Sequence, residues 1–320
     1  MLGADPVQTL EDNYLRFARG EAHGKSALYE QLCEGVAEDP EMLAFLTQQP
    51  PAKRQPNLLL ATVRVLFGLQ SSYEAFRDVV LEHRDEVASM LLMRRTQTNE
   101  PARCAALLPL LSQLPQPLAL LEVGAAAGLC LLIDHYGYNY NGHHLGGNAV
   151  VFECAVDGDV PLPDQLPHVV WRAGIDLDPI DLDDPSAVQW LEALVWPEQT
   201  DRLERLRRAI KIARRERPHV LRANLLDELA TVASQAPPDA TLVVFHTAVL
   251  AYLSATEGEL FTRDVTAIDA EWISNEAPSV IPSIPTPNAT AIADSHFLIA
   301  HNQRPVAYCD PHGSWIQWLT

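Results

Sequence analysis

Glu122 ends an apolar run, LALLEV (Leu118–Val123), and the small residues GAAAG follow within two positions. Glu122, Gly124, Ala126 and Gly128 fill the spacing acid-x-G-x-G-x-G, with Ala in place of the middle Gly. A carboxylate at a strand end attracts an ammonium group. Backbone N–H groups of a small-residue loop at a helix start receive a carboxylate. S-adenosylmethionine (AdoMet) carries both groups on one nucleoside. Ala126 is small enough for close backbone approach but reaches φ > 0 only at a cost. A dinucleotide fits less well. Its G-x-G-x-x-G fingerprint, begun at Gly124, requires Gly where the chain has Leu129. A packing turn with no ligand is the competing reading.

Further polar residues gather at the ends of later apolar runs. In RAGIDLDPIDLDD, Asp176 is the first choice and Asp178 the second to accept from two ribose hydroxyls, because one carboxylate can take both. Asp181, Asp183 and Asp184 read as caps of the following helix. In ANLLD, Asn224 or Asp227 meets the adenine amino group, with Asn224 nearer the strand end; turn and capping roles are the alternative. His246, in VVFHTAVLAYL, stands where a ring nitrogen takes a proton from a methyl acceptor, and Glu276 is a second candidate base. A hydrogen-bonded structural histidine is the alternative there. Ser274 and Asn275 accompany Glu276 in WISNEA and face the same crevice as substrate-binding residues. Gln97, Asn99 and Glu100, in RRTQTNEPAR, close the site from the helical side, unless Asn99 is simply an N-cap.

Other chemistries lose ground. No P-loop and no G-x-S-x-G occurs, and the histidines show no metal-ligand spacing. No D/N-P-P-Y/F and no Pro-Cys is present, which disfavours methylation of adenine amino groups and of cytosine C5. A net charge of −19 repels phosphate backbones, so nucleic acid is a poor partner and a small molecule a better one. The basic stretch Arg205–Arg217 has helical amphipathicity and reads as a solvated face. The five cysteines are widely spaced and read as reduced, buried thiols.

These residues need elements to hold them. Up to about Leu114 apolar residues recur at three-four spacing, which predicts a helical N-terminal domain over 1–98. After Pro115–Pro117 short apolar runs alternate with helical patterns, which predicts an α/β domain over 99–320 with an open, mostly parallel, Rossmann-like sheet. LALLEV, HVVWRAGIDL, HVLRANLL, TLVVFHT and AEWISNEA are its strands, AGLCLLIDHYG is the helix after the first, and the chain closes on an antiparallel hairpin. YGYNYNGHHLGGNAVVFECAVDG reads as an inserted hairpin, 137–160. The proline-rich segment 277–295 is either a loop over the site or a passive surface loop. No apolar run reaches the roughly 18–20 residues of a membrane span. The N-terminus has no basic start followed by an apolar core, so a cytoplasmic protein is expected. The helical domain is the surface through which copies could pair.

With RRTQTNEPARCAALLPLL, LLEVGAAAGLCLLIDHYGYNY, WRAGIDLDPIDLDD, VVFHTAVLAYL, WISNEA and PHGSWIQWL in view, the chain resembles the bacterial domain of unknown function 2332 family, whose core is similar to AdoMet-dependent methyltransferases. The resemblance spans roughly residues 90–320. It implies a methyltransferase-like fold, with Glu122, Gly124 and Gly128 as the cofactor loop and Asp176 as the ribose ligand. The chain departs from the methyltransferase pattern at Ala126, at Asn224 and in the long hairpin. The expected function is AdoMet-dependent methyl transfer to a small molecule. A non-catalytic binding or scaffold protein on the same fold is the alternative, and a nicotinamide-dependent oxidoreductase is a third.

Overall fold

The computed structural model describes residues 6–287 and 296–319. Six helices come first: α1 (Pro6–Arg16), α2 (Ala27–Glu38), α3 (Pro40–Thr47), α4 (Pro56–Phe67), α5 (Tyr73–Glu82) and α6 (Arg84–Met93). Local chemistry sets their starts. Ser26 and Ser72 accept N–H bonds from Tyr29 and Ala75, and Asp39 caps α3 with Pro40 at its first position. Then follow α7 (Arg103–Leu111), β1 (Leu118–Val123), β2 (Gly137–Tyr140), β3 (His143–Gly146), β4 (Val151–Glu153), β5 (Ala155–Asp157) and β6 (Val169–Asp176). The remainder is α8 (Pro185–Ala193), α9 (Thr200–Glu216), β7 (His219–Arg222), α10 (Leu225–Ala233), β8 (Thr241–Thr247), α11 (Ala255–Thr266), β9 (Glu271–Glu276), β10 (Phe297–His301), β11 (Arg304–Cys309) and β12 (Trp315–Trp318).

The chain forms two compact units. The first takes Met1–Thr98 together with Asp184–Glu204. Sequence patterning counted 184–204 with the α/β part, because it sits between two strands. Its apolar residues dictate otherwise: Trp190, Ala193 and Leu194 share one core with Leu58, Leu59, Val63 and Leu91. The Trp190 indole donates to the Arg95 carbonyl (2.9 Å) and that of Trp196 to Asn57 Oδ1 (3.0 Å).

The second unit takes Asn99–Asp183 and Arg205–Thr320. Its nine-stranded sheet runs β5-β12-β11-β10-β9-β8-β1-β6-β7. β1 pairs in parallel with β6 and β8, β6 with β7, and β8 with β9. β10 and β11 are antiparallel to their neighbours, and β5 is parallel to β12. The five parallel strands lie where the apolar runs predicted them. The chain fills one side of β1 with β6 and β7, then crosses back to lay β8 on the other. That reversal lies between β1 and β8, and beyond the carboxyl ends of strands at such a point ligands bind in open α/β sheets.

Alternation along the strands sorts side chains onto two faces. Leu121, Val123, Ile175, Val244 and Trp272 meet Leu229 of α10 and Phe261 and Val265 of α11 in one core. The opposite face carries Glu122, level with Gly174 of β6 and Phe245 of β8, and beyond it Thr247 level with Asn275.

The helix expected after β1 is absent. Cys130–His135 is a short 3₁₀ segment broken at Leu132. Side chains take the carbonyls a helix would use. Tyr136 Oη donates to Leu129 O (2.8 Å), Arg172 to Leu131 O (3.2 Å) and Tyr138 Oη to Ile133 O (2.6 Å). Tyr136 ends the expected helix itself, and Tyr138 opens the inserted segment, which is richer than a hairpin. β2 and β3 pair around Asn141–Gly142, both at φ > 0, as a two-residue hairpin turn requires. β4 then adds in parallel to β2, and β5 joins the large sheet. Of the proline-rich segment, 288–295 lie outside the described residues. Ala277–Pro287 runs through turns, with Ile281 and Ile284 buried in the core beside α10 and α11.

Candidate functional site

Glu122 is buried at the end of β1, and its Oε2 hydrogen-bonds to no described group. Burial pushes its carboxyl well above the usual carboxylate range. Cys130 and Asp176 add to the shift, and Arg103 opposes it. The loop that follows makes three left-handed steps: Gly124 (φ 71), Ala126 (φ 50) and Gly128 (φ 69). Ala126 bears the cost the sequence implied, roughly 1–2 kcal/mol for an L-residue with positive φ. Asp176 offsets it. Its Oδ2 accepts the Ala126 N–H at 2.8 Å, a bond of the stronger, charge-assisted kind. A Cβ on Gly124 would meet Val249 Cγ2 at 2.4 Å, so the segment after β8 lies directly on the loop.

The expected ligand roles of this loop need correction. Its amides are largely spent within the unit. Gly124 and Ala125 donate to Ile175 O (2.8 and 3.2 Å), Gly128 to Ala125 O (2.7 Å) and Leu129 to Asn99 Oδ1 (2.9 Å). With no α-helix behind it, the loop offers no helix N-terminus to a carboxylate. Asp176 holds the loop, and its Oδ1 also accepts the Asp178 N–H (2.8 Å). Asp178 pairs with the exposed Arg222. Asn224 caps α10 by accepting the Leu226 N–H at 3.0 Å, as the capping alternative had it, and Asp184 caps α8.

His246 and Glu276 come together, but in a closed network. His246 Nδ1 lies 2.7 Å from Glu276 Oε1, and the Trp272 indole N–H points at Nε2 from 3.0 Å. An indole N–H can only donate, so Nε2 accepts and the ring proton sits on Nδ1. Glu276 Oε1 also accepts the N–H groups of Val249 and Leu250 (2.9 and 3.1 Å). Both ring nitrogens are therefore engaged, and the ring is fully buried. His246 is a structural histidine and not a base poised for a substrate. The sequence could not give its partners, because Trp272 and Glu276 belong to the next strand over.

The remaining expected residues divide. Ser274 is buried beside His246 in the β8–β9 register. Asn275 is fully buried. Its Oδ1 accepts from Cys309 Sγ (3.2 Å), and its Nδ2 has no described partner. Asn99 serves the loop rather than capping α7. Glu100 is buried, with Oε1 accepting the Ala102 N–H (3.2 Å) and the carbonyl accepting from Cys130 Sγ (3.5 Å). Gln97 belongs to the first unit. Arg103 and Thr247 were missed. Arg103 is a buried guanidinium whose Nε donates to Pro311 O (2.8 Å) and whose Nη1 donates to Thr247 O and Oγ1 (3.1 and 3.2 Å). One signal was available: Arg103 is the only charged residue in RCAALLPLL, a helix apolar on every side and so buried all round.

No helix among the described residues is long and apolar enough to cross a membrane. No curated protein and no solved structure matches the chain. A model of a family described as an uncharacterized protein conserved in bacteria matches residues 11–318. That is nearly the whole chain, and the polar strand ends and the inserted tyrosine segment all fall inside it. The chain belongs to this bacterial family, domain of unknown function 2332.

Proposed function

We propose that the second unit binds AdoMet at the carboxyl ends of β1 and β8 and transfers its methyl group to a small-molecule acceptor. The observation that carries this reading is Glu122: a buried carboxyl at the reversal of strand order, with an unpartnered oxygen beside three left-handed loop residues. A buried polar atom without a partner is costly, and an ammonium group supplies one. AdoMet, when bound, supplies an activated methyl group and its own leaving group. The chain's contribution is orientation of the acceptor and exclusion of water. With His246 and Glu276 tied to Trp272, Val249 and Leu250, the acceptor is a nucleophile that needs no proton removed by this pair.

A non-catalytic module is the second reading, and the closed Trp272–His246–Glu276 network and spent loop amides favour it. Thermal unfolding separates ligand classes, because a ligand that binds only the folded state raises the midpoint. AdoMet at a millimolar concentration is expected to raise it by several degrees, and ATP and NADH are not. Equal shifts for all three, or none for AdoMet, count against an AdoMet site.

A further inference from the structure

The loop amides expected to take a carboxylate are largely bonded already, yet the same face of the sheet holds a buried cation. Arg103 opens α7 and is about nine-tenths buried (7% exposed). A guanidinium stays charged in proteins. A buried charge is tolerated when an opposite charge accompanies it. Arg103 forms no ion pair with any described residue; its partners are two carbonyls, one hydroxyl and the ring of Phe297, 5.8 Å away at the centroid. Its Nη2 donates to no described group.

A second donor sits beside it. Thr247, which holds Arg103 through both its carbonyl and its hydroxyl, is level with Asn275 on the neighbouring parallel strand. Paired positions on adjacent strands lie about 5 Å apart. Asn275 has its Oδ1 fixed by Cys309, which leaves the amide nitrogen as the unsatisfied end of the side chain. The free Nη2 of Arg103 and the unpaired amide N–H of Asn275, linked through Thr247, which bonds the one and is level with the other, make a binding pattern for a planar anion. A carboxylate fits in particular, because one oxygen can accept from the charged Nη2 and the other from the Asn275 amide.

We propose that Arg103 and Asn275 form a carboxylate-binding subsite at the ends of β8 and β9. The carboxylate comes either from the amino-acid tail of AdoMet or from the methyl acceptor. The proposal rests on the preceding reading only for that choice of source. It shifts one role from the loop after β1 to α7 and β9. It also narrows the ligands to those that carry a carboxylate within reach of the switch point.

Acetate is the probe, because it has the chemistry and little else. Saturation-transfer NMR on the full chain is expected to show acetate bound and its neutral isostere acetamide unbound at equal ionic strength. Arg103→Lys keeps the charge and loses the Nη2 donor, and is expected to weaken acetate at least fivefold. Asn275→Asp places the missing carboxylate inside the protein, so that variant is expected to stay folded and to lose acetate. If Arg103→Lys fails to fold, Asn275→Asp and the acetate–acetamide comparison still decide. Addition of S-adenosylhomocysteine separates the sources. Displacement of acetate assigns the subsite to the cofactor tail. Joint binding assigns it to the acceptor. Acetate bound with no signal from S-adenosylhomocysteine leaves the subsite standing and removes the AdoMet reading. Acetate indistinguishable from acetamide on the natural chain, or bound unchanged by folded Arg103→Lys, overturns the subsite.

Discussion

Glu122 concentrates the chemistry at the scale of single residues. Its carboxyl is held well above the usual carboxylate range by burial. The sign for stability follows. A group whose folded-state value is raised adds stability below its unfolded value, near 4.3, and loses it as pH rises through the folded value. Above the unfolded value the natural chain must either retain a proton that the unfolded chain gives up or ionise a buried acid. Glu122→Gln has no proton to lose. It is therefore expected to gain stability relative to the natural chain as pH rises above about 4.3, in urea unfolding at a series of pH values. Parallel curves for the two proteins contradict the assignment. Ala126 shows the same economy in the backbone. Its left-handed turn is maintained by Asp176, a residue the sequence placed correctly at the strand end and assigned to a ribose.

At the scale of elements, strand positions were legible because runs such as LALLEV and TLVVFHT are apolar, short and bounded by turn residues. The helix after β1 was not legible. AGLCLLIDHYG has a helical pattern, but its own Tyr136, the adjoining Tyr138 and the distant Arg172 capture its carbonyls, and the apolar periodicity does not report that. The β8–β9 pair makes a similar point. His246, Trp272 and Glu276 lie on two strands, and only the register brings them together. Glu276 also pins the segment after β8 onto Gly124 through the Val249 and Leu250 amides. Glu276→Gln weakens an acceptor that serves three donors. It is expected to cost about 2 kcal/mol, since hydrogen bonds to charged groups contribute about 1.5–3 kcal/mol each and the amide oxygen retains part of them. An unchanged urea midpoint contradicts a structural role for the network.

At the scale of the whole molecule, the division into a helical and an α/β part was readable from the change of period near Pro115, but one segment crosses between them in sequence. Trp190, Ala193 and Leu194 complete the core of the first unit from a position between β6 and β7. Residues 1–98 alone therefore leave an open apolar face. They are expected to keep helical far-UV dichroism, lose near-UV signal and bind ANS, and a co-added 184–204 peptide is expected to reverse both effects in part. A cooperative, ANS-silent fold of 1–98 by itself contradicts that core. The chemistry of the second unit turns on what Glu122 binds. The deciding measurement is a calorimetric titration of the full chain with S-adenosylhomocysteine, in buffers of different ionisation enthalpy, against Glu122→Gln. The expected result is binding that releases a proton and tightens as pH rises through the range where Glu122 is protonated, with both features lost in Glu122→Gln. Absence of binding at millimolar ligand, or identical proton-neutral binding by the two proteins, contradicts the AdoMet site.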